Sequence, residues 1–401
     1  MYRGKKVVIG ITGGIAAYRV LSLIRELKNE QMELYAVMTN SARRLIGEET
    51  VTILTEHPVF KDLFERIHIE GSKTDITHIA LGQWADCFVV APATNHIIAQ
   101  LAIGAGDDPV TLTALASSCP RIVVPAANST MYQQKTNRRN LETLRKDGWI
   151  IVEACEGNLA CNEEGIGHIA EQTDIKEAIY GTFEKKILKD FYVVVTAGPT
   201  REHLDPVRFI SNPSTGKMGF AIAKMAKRMG AAVSLVHGAA EFCGNIRSIA
   251  VTTTAQMKDA VHQEIKRAID SGKKVLFISA AAPADYRSGF SDSKIKKGSS
   301  SITVELFPTE DILKSTMIFS NKIARIGFAA ETDNLIDNAR AKLIEKQLDF
   351  IVANDVSSED SGFASDNNKV TILWKDGSAD FGLMSKAAVA RNLFELIREH
   401  L

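Results

Sequence analysis

Twice in this sequence a short, largely apolar run without a charged residue breaks at a glycine and gives way to an amphipathic stretch. Val7–Thr12 runs into Gly13-Gly14, and Tyr192–Thr196 runs into Ala197-Gly198-Pro199-Thr200. After the first start come further apolar runs of strand length at Leu34–Met38, Cys87–Ala91, Ile122–Pro125 and Trp149–Glu153. After the second they recur at Val233–Val236, Val275–Ser279, Ile326–Ala329 and Phe350–Ala353. Helical patterns fill the intervals, as in Ile15–Lys28 and the segments beginning at His96 and Met131. A largely apolar run suits a strand covered on both faces. Strands alternating with helices join through right-handed βαβ crossovers into a parallel sheet. The sequence therefore predicts two doubly wound α/β domains. An irregular piece, Cys155–His168, and a helix from Glu171 to about Lys185 separate the two series. That places a first domain over residues 1–188 and a second over 189–401. Ile302–Phe307 and Val370–Trp374 read as antiparallel additions to the second domain.

Composition narrows the function classes. The 48 Lys and Arg are cancelled by 48 Asp and Glu, so no basic excess marks a nucleic-acid or anionic-membrane partner. Phosphate binding must then be local, built from a few cations and backbone amides. No apolar run reaches the length of a signal peptide core or a membrane span. Five cysteines without regular spacing do not form a secreted disulfide framework. A cytoplasmic protein acting on small molecules is expected.

In the first domain, Thr12-Gly13-Gly14-Ile15 closes a strand and opens a helix. Paired glycines admit a ligand close to the backbone, and the unpaired amides of a helix start favour an anion. The segment lacks the G-x-G-x-x-G dinucleotide pattern, so a mononucleotide or a phosphate-bearing flavin fits better than NAD. Thr39 and Thr94 follow strands, on the edge where open α/β sheets bind ligands; either alone is also an ordinary helix N-cap. His78, Asn128 and Cys161 are further candidates, although singly each suits a structural role: a satisfied histidine, a cap, a loop thiol.

Taken together these residues form a pattern. Thr12–Tyr18, His78-Ile79, Pro125–Tyr132 and Ala160-Cys161 match the motifs of the flavin-containing cysteine decarboxylases. Nearly the whole domain resembles the phosphopantothenoylcysteine decarboxylases. The resemblance implies a flavodoxin-like (Rossmann-like) domain that holds FMN at Thr12, Gly13, Gly14, Thr39 and Thr94. It makes His78 an acid/base, Asn128 the grip on the substrate carboxylate and Cys161 a proton donor. Two positions depart from the family: Ala127 stands for the motif methionine, and Gly165–Ile169 ends the flap with His168 in place of arginine. A flavin makes chemical sense here, because a cysteine carboxylate has no nearby sink for the electrons left behind by CO2.

In the second domain, Thr196–Glu202 leads through Leu204–Ile210 into Ser211–Gly219, a polar loop with two arginines that ends in a Ser/Thr/Gly-rich helix start. It is an anion cradle but not a Walker A loop, since Met218 follows Gly216-Lys217. Ser279–Arg287 offers small residues and Asp285 to a base or ribose; Lys294–Lys297, Gly327–Thr332 and the helical pair Lys342 and Lys346 complete the candidates. These blocks resemble the phosphopantothenate–cysteine ligases, a Rossmann-like fold. The resemblance implies that Arg208 and Asn212 bind phosphopantothenate and its acyl intermediate. By the same comparison Ala281, Asp285, Phe328, Lys342 and Lys346 surround CTP with Mg2+, and Lys294 assists transfer. Cysteine would then attack an acyl-cytidylate.

Both resemblances together imply a bifunctional enzyme of coenzyme A biosynthesis whose ligase product is the decarboxylase substrate. They also imply a homo-oligomer of flavin-domain trimers and ligase-domain dimers, as large as a dodecamer. Two other readings stay open on the sequence: a flavin domain that only binds or assembles beside an active ligase, and a nicotinamide oxidoreductase, which the missing G-x-G-x-x-G disfavours.

Overall fold

The computed structural model describes residues 1–158, 164–242, 244–297, 301–331, 334–355 and 365–401. The chain divides into two compact units, Met1–Glu184 and Lys185–Leu401. Leu188, the last residue of the first domain expected from the sequence, is buried in the second unit's core, and its N–H donates to Met229 O at 3.0 Å.

The first unit is a five-stranded, all-parallel sheet. Its strands run in the spatial order Glu33–Met38, Lys6–Ile11, Cys87–Ala93, Arg121–Pro125, Ile150–Ile151. Alternate residues serve opposite faces. Val7, Ile9 and Ile11 pack with Val20, Leu23 and Leu27 of helix Ala17–Asn29, whereas Val8, Phe88 and Val90 pack with Ile97 and Ile98 of helix Asn95–Ile103. The adjacent strands Lys6–Ile11 and Cys87–Ala93 thus send their following helices to opposite faces. Their carboxyl ends part there, which is where this kind of sheet binds ligands. The stretch Cys155–His168, expected to be irregular, is ordered on both sides of its undescribed centre. Cys155–Asn158 pairs antiparallel with Glu164–His168. Glycines at 157, 165 and 167 break the alternation that would have revealed these strands in the sequence.

The second unit holds an eight-stranded sheet. Its six parallel strands, Arg247–Ala250, Ala232–His237, Phe191–Ala197, Lys274–Ser279, Ile323–Glu331 and Phe350–Asp355, lie in that spatial order. This is the doubly wound arrangement in which the first and fourth strands of the series sit side by side. Asn367–Trp374 and Gly377–Ser385 then extend the sheet antiparallel. Ile302–Phe307, expected as another addition, does not join this sheet; only Leu306–Pro308 is a strand, paired with Tyr286–Ser288 in a separate two-stranded ladder. Arg247–Ala250 and Gly377–Ser385 carry no apolar run because they are edge strands, largely exposed, and so escaped notice in the sequence.

Helix Lys217–Arg228 packs Ile222, Ala223 and Ala226 on one face of this sheet, together with Leu393, Phe394 and Ile397 of helix Lys386–His400. Helix Thr254–Asp270 packs Met257, Val261 and Ile265 on the other. Gly219 lets the first of these helices touch the sheet: a Cβ there would lie 2.5 Å from Ala197 Cβ and 2.8 Å from Thr196 O. Among the described residues no helix is long and apolar enough to cross a membrane.

The close approach at Gly219 is testable by stability. Gly219→Val should lower the unfolding free energy by about 1–3 kcal/mol through overpacking, read as a reduced denaturant midpoint. Gly289→Ala, whose new methyl would meet nothing within 4 Å, should leave the midpoint unchanged.

Candidate functional site

The parted strand ends of the first unit open onto a cavity of about 520 Å3, whose lining includes Gly14, Thr94, Asn95, Asn128, Met131 and His168. Local interactions explain why these residues meet. The buried Thr12 hydroxyl donates to Pro92 O at 2.6 Å and accepts from Thr94 N at 3.2 Å, tying two strand ends together. Gly13 is needed for packing, since a Cβ there would lie 2.3 Å from Ser41 Cβ. Thr94 Oγ1 caps helix Asn95–Ile103 by accepting from Ile97 N at 3.4 Å, and Thr39 Oγ1 caps Asn40–Arg43 by accepting from Ala42 N at 3.2 Å. Asn128 caps the short helix Ser129–Gln133, its Oδ1 accepting from Thr130 N at 2.9 Å. The three caps use chemistry visible in the sequence. What the fold adds is the convergence of two of them, Thr94 and Asn128, whose helix starts face one space with the glycine turn, while Thr39 is not on its lining.

Of the residues singled out from the sequence, Gly14, Thr94 and Asn128 line this cavity. Thr12 and Gly13 support it from behind. His78 is not among the lining residues. It is the second residue of helix Thr77–Trp84, whose Thr77 hydroxyl donates to Glu65 O at 2.7 Å and accepts from Ile67 N at 2.9 Å. Burial pushes the His78 imidazole below its ordinary value, which favours its neutral form. Cys161 lies outside the described residues. Sequence reasoning missed Asn95, whose Nδ2 donates to Met131 O at 2.8 Å while its buried Oδ1 has no partner. It also treated His168 only as a departure from a motif. In the structure His168 lines the cavity, and its Nδ1 lies 3.6 Å from Cys155 Sγ.

The second unit has its own cavity, of about 370 Å3, where strands Phe191–Ala197 and Lys274–Ser279 diverge. It brings Ala281, Asp285, Phe328 and Lys346 together with the Ser214–Met218 turn. Arg208, Asn212, Lys294 and Lys342 are not among its lining residues. Two of them brace the wall instead. Asn212 Nδ2 donates to Pro283 O at 2.9 Å, and Arg208 Nη1 donates to Asp205 Oδ2 at 3.0 Å and to Ile295 O at 2.7 Å. Asp205 is the buried hub of this loop, accepting also from the amides of Val207, Arg208 and Ile295. Burial pushes its carboxyl up, but those amides and the Arg208 charge more than offset this and hold it below the usual carboxylate range. Lys294 is exposed, one residue from the Ile295 anchor.

Charge of both signs faces this cavity. Lys346 pairs with Asp311 at 2.7 Å; burial raises the Asp311 carboxyl, and the Lys346 ammonium with the Lys314 amide brings it below its ordinary value. Asp285, Glu310 and Asp311 supply carboxylates, and Lys217 and Lys386 are further cations on the lining. Carboxylates with lysines suit a polyphosphate that arrives with a divalent cation. Lys386 and Asn368 carried no signal in the sequence, because neither lies in a glycine turn or follows a parallel strand.

Comparison with known proteins divides the chain in the same two parts. Residues 1–184 match the Flavoprotein family, and residues 188–401 match the DNA/pantothenate metabolism flavoprotein C-terminal domain. The chain is 38% identical over 404 residues to the coenzyme A biosynthesis bifunctional protein CoaBC of Vibrio cholerae, covering 99% of each. Among solved structures, the C-terminal domain of a CoaBC protein is 36% identical, covering 54% of this chain and 98% of that one, with a TM-score of 0.45. The FMN-dependent cysteine decarboxylase SpaF is 31% identical, covering 45% of this chain and 95% of that one, with a TM-score of 0.38.

The Asp205 hub predicts a pH dependence with a definite sign. A carboxyl lowered in the folded state stabilises it above the unfolded value, about 3.9, and that contribution is lost as pH falls through the folded value. Unfolding monitored between pH 7 and pH 3 should show the wild type losing more stability than Asp205→Asn, which lacks the titrating group.

Proposed function

The chain belongs to the coenzyme A biosynthesis bifunctional protein (CoaBC) family, and from that premise we propose how its two units divide the chemistry. It is a bifunctional enzyme, a phosphopantothenoylcysteine decarboxylase of the flavoprotein class joined to a phosphopantothenate–cysteine ligase. The first unit carries the decarboxylase, converting 4'-phosphopantothenoylcysteine to 4'-phosphopantetheine and CO2. The second carries the ligase, joining 4'-phosphopantothenate to L-cysteine through an acyl-cytidylate formed from CTP. One observation carries the division: each family match contains its own cavity at diverging strand ends, the first framed by helix starts and a glycine turn, the second by lysines and carboxylates.

The first cavity suits FMN. Its volume matches a cofactor-sized ligand, the Gly13–Gly14 turn and the Thr94-capped helix start can hold a phosphate, and the buried Asn95 Oδ1 awaits a donor. Thr12 and Thr39 position these parts. When bound, the flavin supplies the reversible two-electron chemistry that gives the departing carboxylate an electron sink. The chain's own residues do the rest. Asn128, oriented by the helix amides at its Oδ1, offers a carboxamide NH2 edge suited to a carboxylate. His78, whose neutral form burial favours, can accept or return a proton. Cys161 is assigned the final proton delivery.

In the ligase, Ala281, Asp285 and Phe328 hold the nucleoside, and Lys342 and Lys346 neutralise its phosphates. Lys294 assists transfer at the carbonyl. Asp285, Glu310 and Asp311 are the carboxylates that would hold Mg2+ arriving with CTP, and the ion would offset the phosphate charge. Arg208 and Asn212 take the phosphopantothenate end and the acyl intermediate, which requires them to exchange Asp205 and the Pro283 carbonyl for ligand. By the same family likeness the enzyme is cytoplasmic and works as a homo-oligomer of flavin-domain trimers and ligase-domain dimers.

Purified protein should be yellow. Given phosphopantothenate, cysteine, CTP and Mg2+, it should release pyrophosphate and then CO2. A colourless preparation that takes up no flavin would remove the decarboxylase assignment and leave a ligase with an accessory domain. Cys161→Ser should release CO2 yet stall before 4'-phosphopantetheine; complete turnover by that variant would take the proton-donor role away from the thiol. Lys294→Gln should lower ligase kcat by about a hundredfold or more with an unchanged melting curve, and near-normal turnover would exclude Lys294 from the chemistry.

A further inference from the structure

One wall of the ligase cavity comes from the antiparallel extension of the sheet rather than from the parallel strand ends. Asn354 belongs to the last parallel strand, Asn368 to the antiparallel strand beside it, and Lys386 is the first residue of helix Lys386–His400. All three line the cavity together with Lys217, the first residue of helix Lys217–Arg228.

These side chains are unusual in their burial. Asn368 is 2% exposed; its Nδ2 reaches Met218 Sδ at 3.7 Å, and its Oδ1 has no partner. Asn354 is 9% exposed, and its Oδ1 is likewise unpartnered. Buried amide oxygens are almost always satisfied, so two orphans on one cavity wall mark acceptors that a ligand completes. Lys386 is 6% exposed, with its ammonium donating to Ser365 O. Burial first, and then the Lys217 charge, lowers its pKa against the opposing pull of Asp366. The anion already beside these lysines is Asp366, an exposed carboxylate that pairs with the exposed Lys217 at 2.7 Å, and a phosphate exchanging for it would meet both ammonium groups. The two helix starts that carry these lysines belong to helices packed against each other in one core, so both positive ends serve the same wall.

The required ligand therefore offers hydroxyl donors to amide oxygens and phosphate oxygens to lysines. The sugar–phosphate portion of a nucleoside triphosphate has both in one molecule. We infer that Asn368 and Lys386 are nucleotide-binding residues of the ligase, Asn368 accepting a hydrogen bond from a ribose hydroxyl and Lys386, with Lys217, pairing with the phosphates. This deepens the ligase assignment and rests on it. It makes the antiparallel extension part of the site, adding a second wall to the Ser214–Met218 turn and the lysines already assigned to the phosphates.

Calorimetric titration of the full chain with CTP, 2'-deoxy-CTP, 3'-deoxy-CTP and inorganic tripolyphosphate tests this. The wild type should bind one deoxy analogue about tenfold more weakly than CTP, and Asn368→Ala should bind CTP as weakly as that analogue, erasing the difference. Lys386→Met, which keeps the length of the side chain, should weaken CTP and tripolyphosphate alike by about tenfold or more. Circular dichroism melts establish that each variant is folded. Variants that melt like the wild type and bind CTP within about twofold of it would overturn the inference. So would a wild type that binds CTP and both deoxy analogues equally, a comparison that needs no variant. A wild type that binds no nucleoside triphosphate would instead bring down the ligase assignment, and this inference with it.

Discussion

A parallel strand cannot turn back on itself within the sheet, so the chain leaving its carboxyl end must cross one face. Where two neighbouring strands send their chains to opposite faces, a gap opens between their ends. Both units of this protein are organised around such a gap. In the first it lies between Lys6–Ile11 and Cys87–Ala93, and the Thr12 hydroxyl, bonded to Pro92 O and Thr94 N, fixes how far those ends part. In the second it lies between Phe191–Ala197 and Lys274–Ser279, where an isolated bridge from Pro199 to Ala282 and the Asn212 brace set the opening.

The same gap serves two chemistries because different side chains are placed around it. The first cavity is mostly apolar and framed by capped helix starts, so it offers direction and partial charge without many formal charges. The second faces lysines and carboxylates that are already paired with each other, as Lys346 is with Asp311. Pre-pairing keeps buried charges compensated before a ligand arrives, and a polyphosphate with its cation can then exchange into the network. The Asp205 hub plays the matching structural role, holding the arginine loop by four hydrogen bonds to one carboxylate.

The parts of the architecture that were legible in the sequence share one property: they are buried on both sides. Val7–Thr12 and Tyr192–Thr196 stand out because each residue of such a strand needs an apolar partner. The helix caps at Thr39, Thr94 and Asn128 were also readable as caps, since that bond is made within three residues. The hairpin flanking the undescribed segment, the exposed edge strands Arg247–Ala250 and Gly377–Ser385, and the placement of Leu306–Pro308 were not. Edge strands bury one side at most and gain their hydrogen bonds from a distant segment, so no local pattern announces them.

The sequence by itself determined that two doubly wound sheets would form, where the glycine turns would fall, and which motif residues would sit on loops at strand ends. These follow from burial, backbone freedom and short-range capping, all of which act over a few residues. Only the tertiary structure decided which of those loops share a cavity. It placed Gly14, Thr94, Asn128 and His168 together, turned Arg208 and Asn212 into braces, and brought Asn368 and Lys386 to face Lys217 from about 150 residues away in sequence. That convergence depends on strand order and crossover direction, which are set by the packing of the whole sheet and leave no mark at any single position.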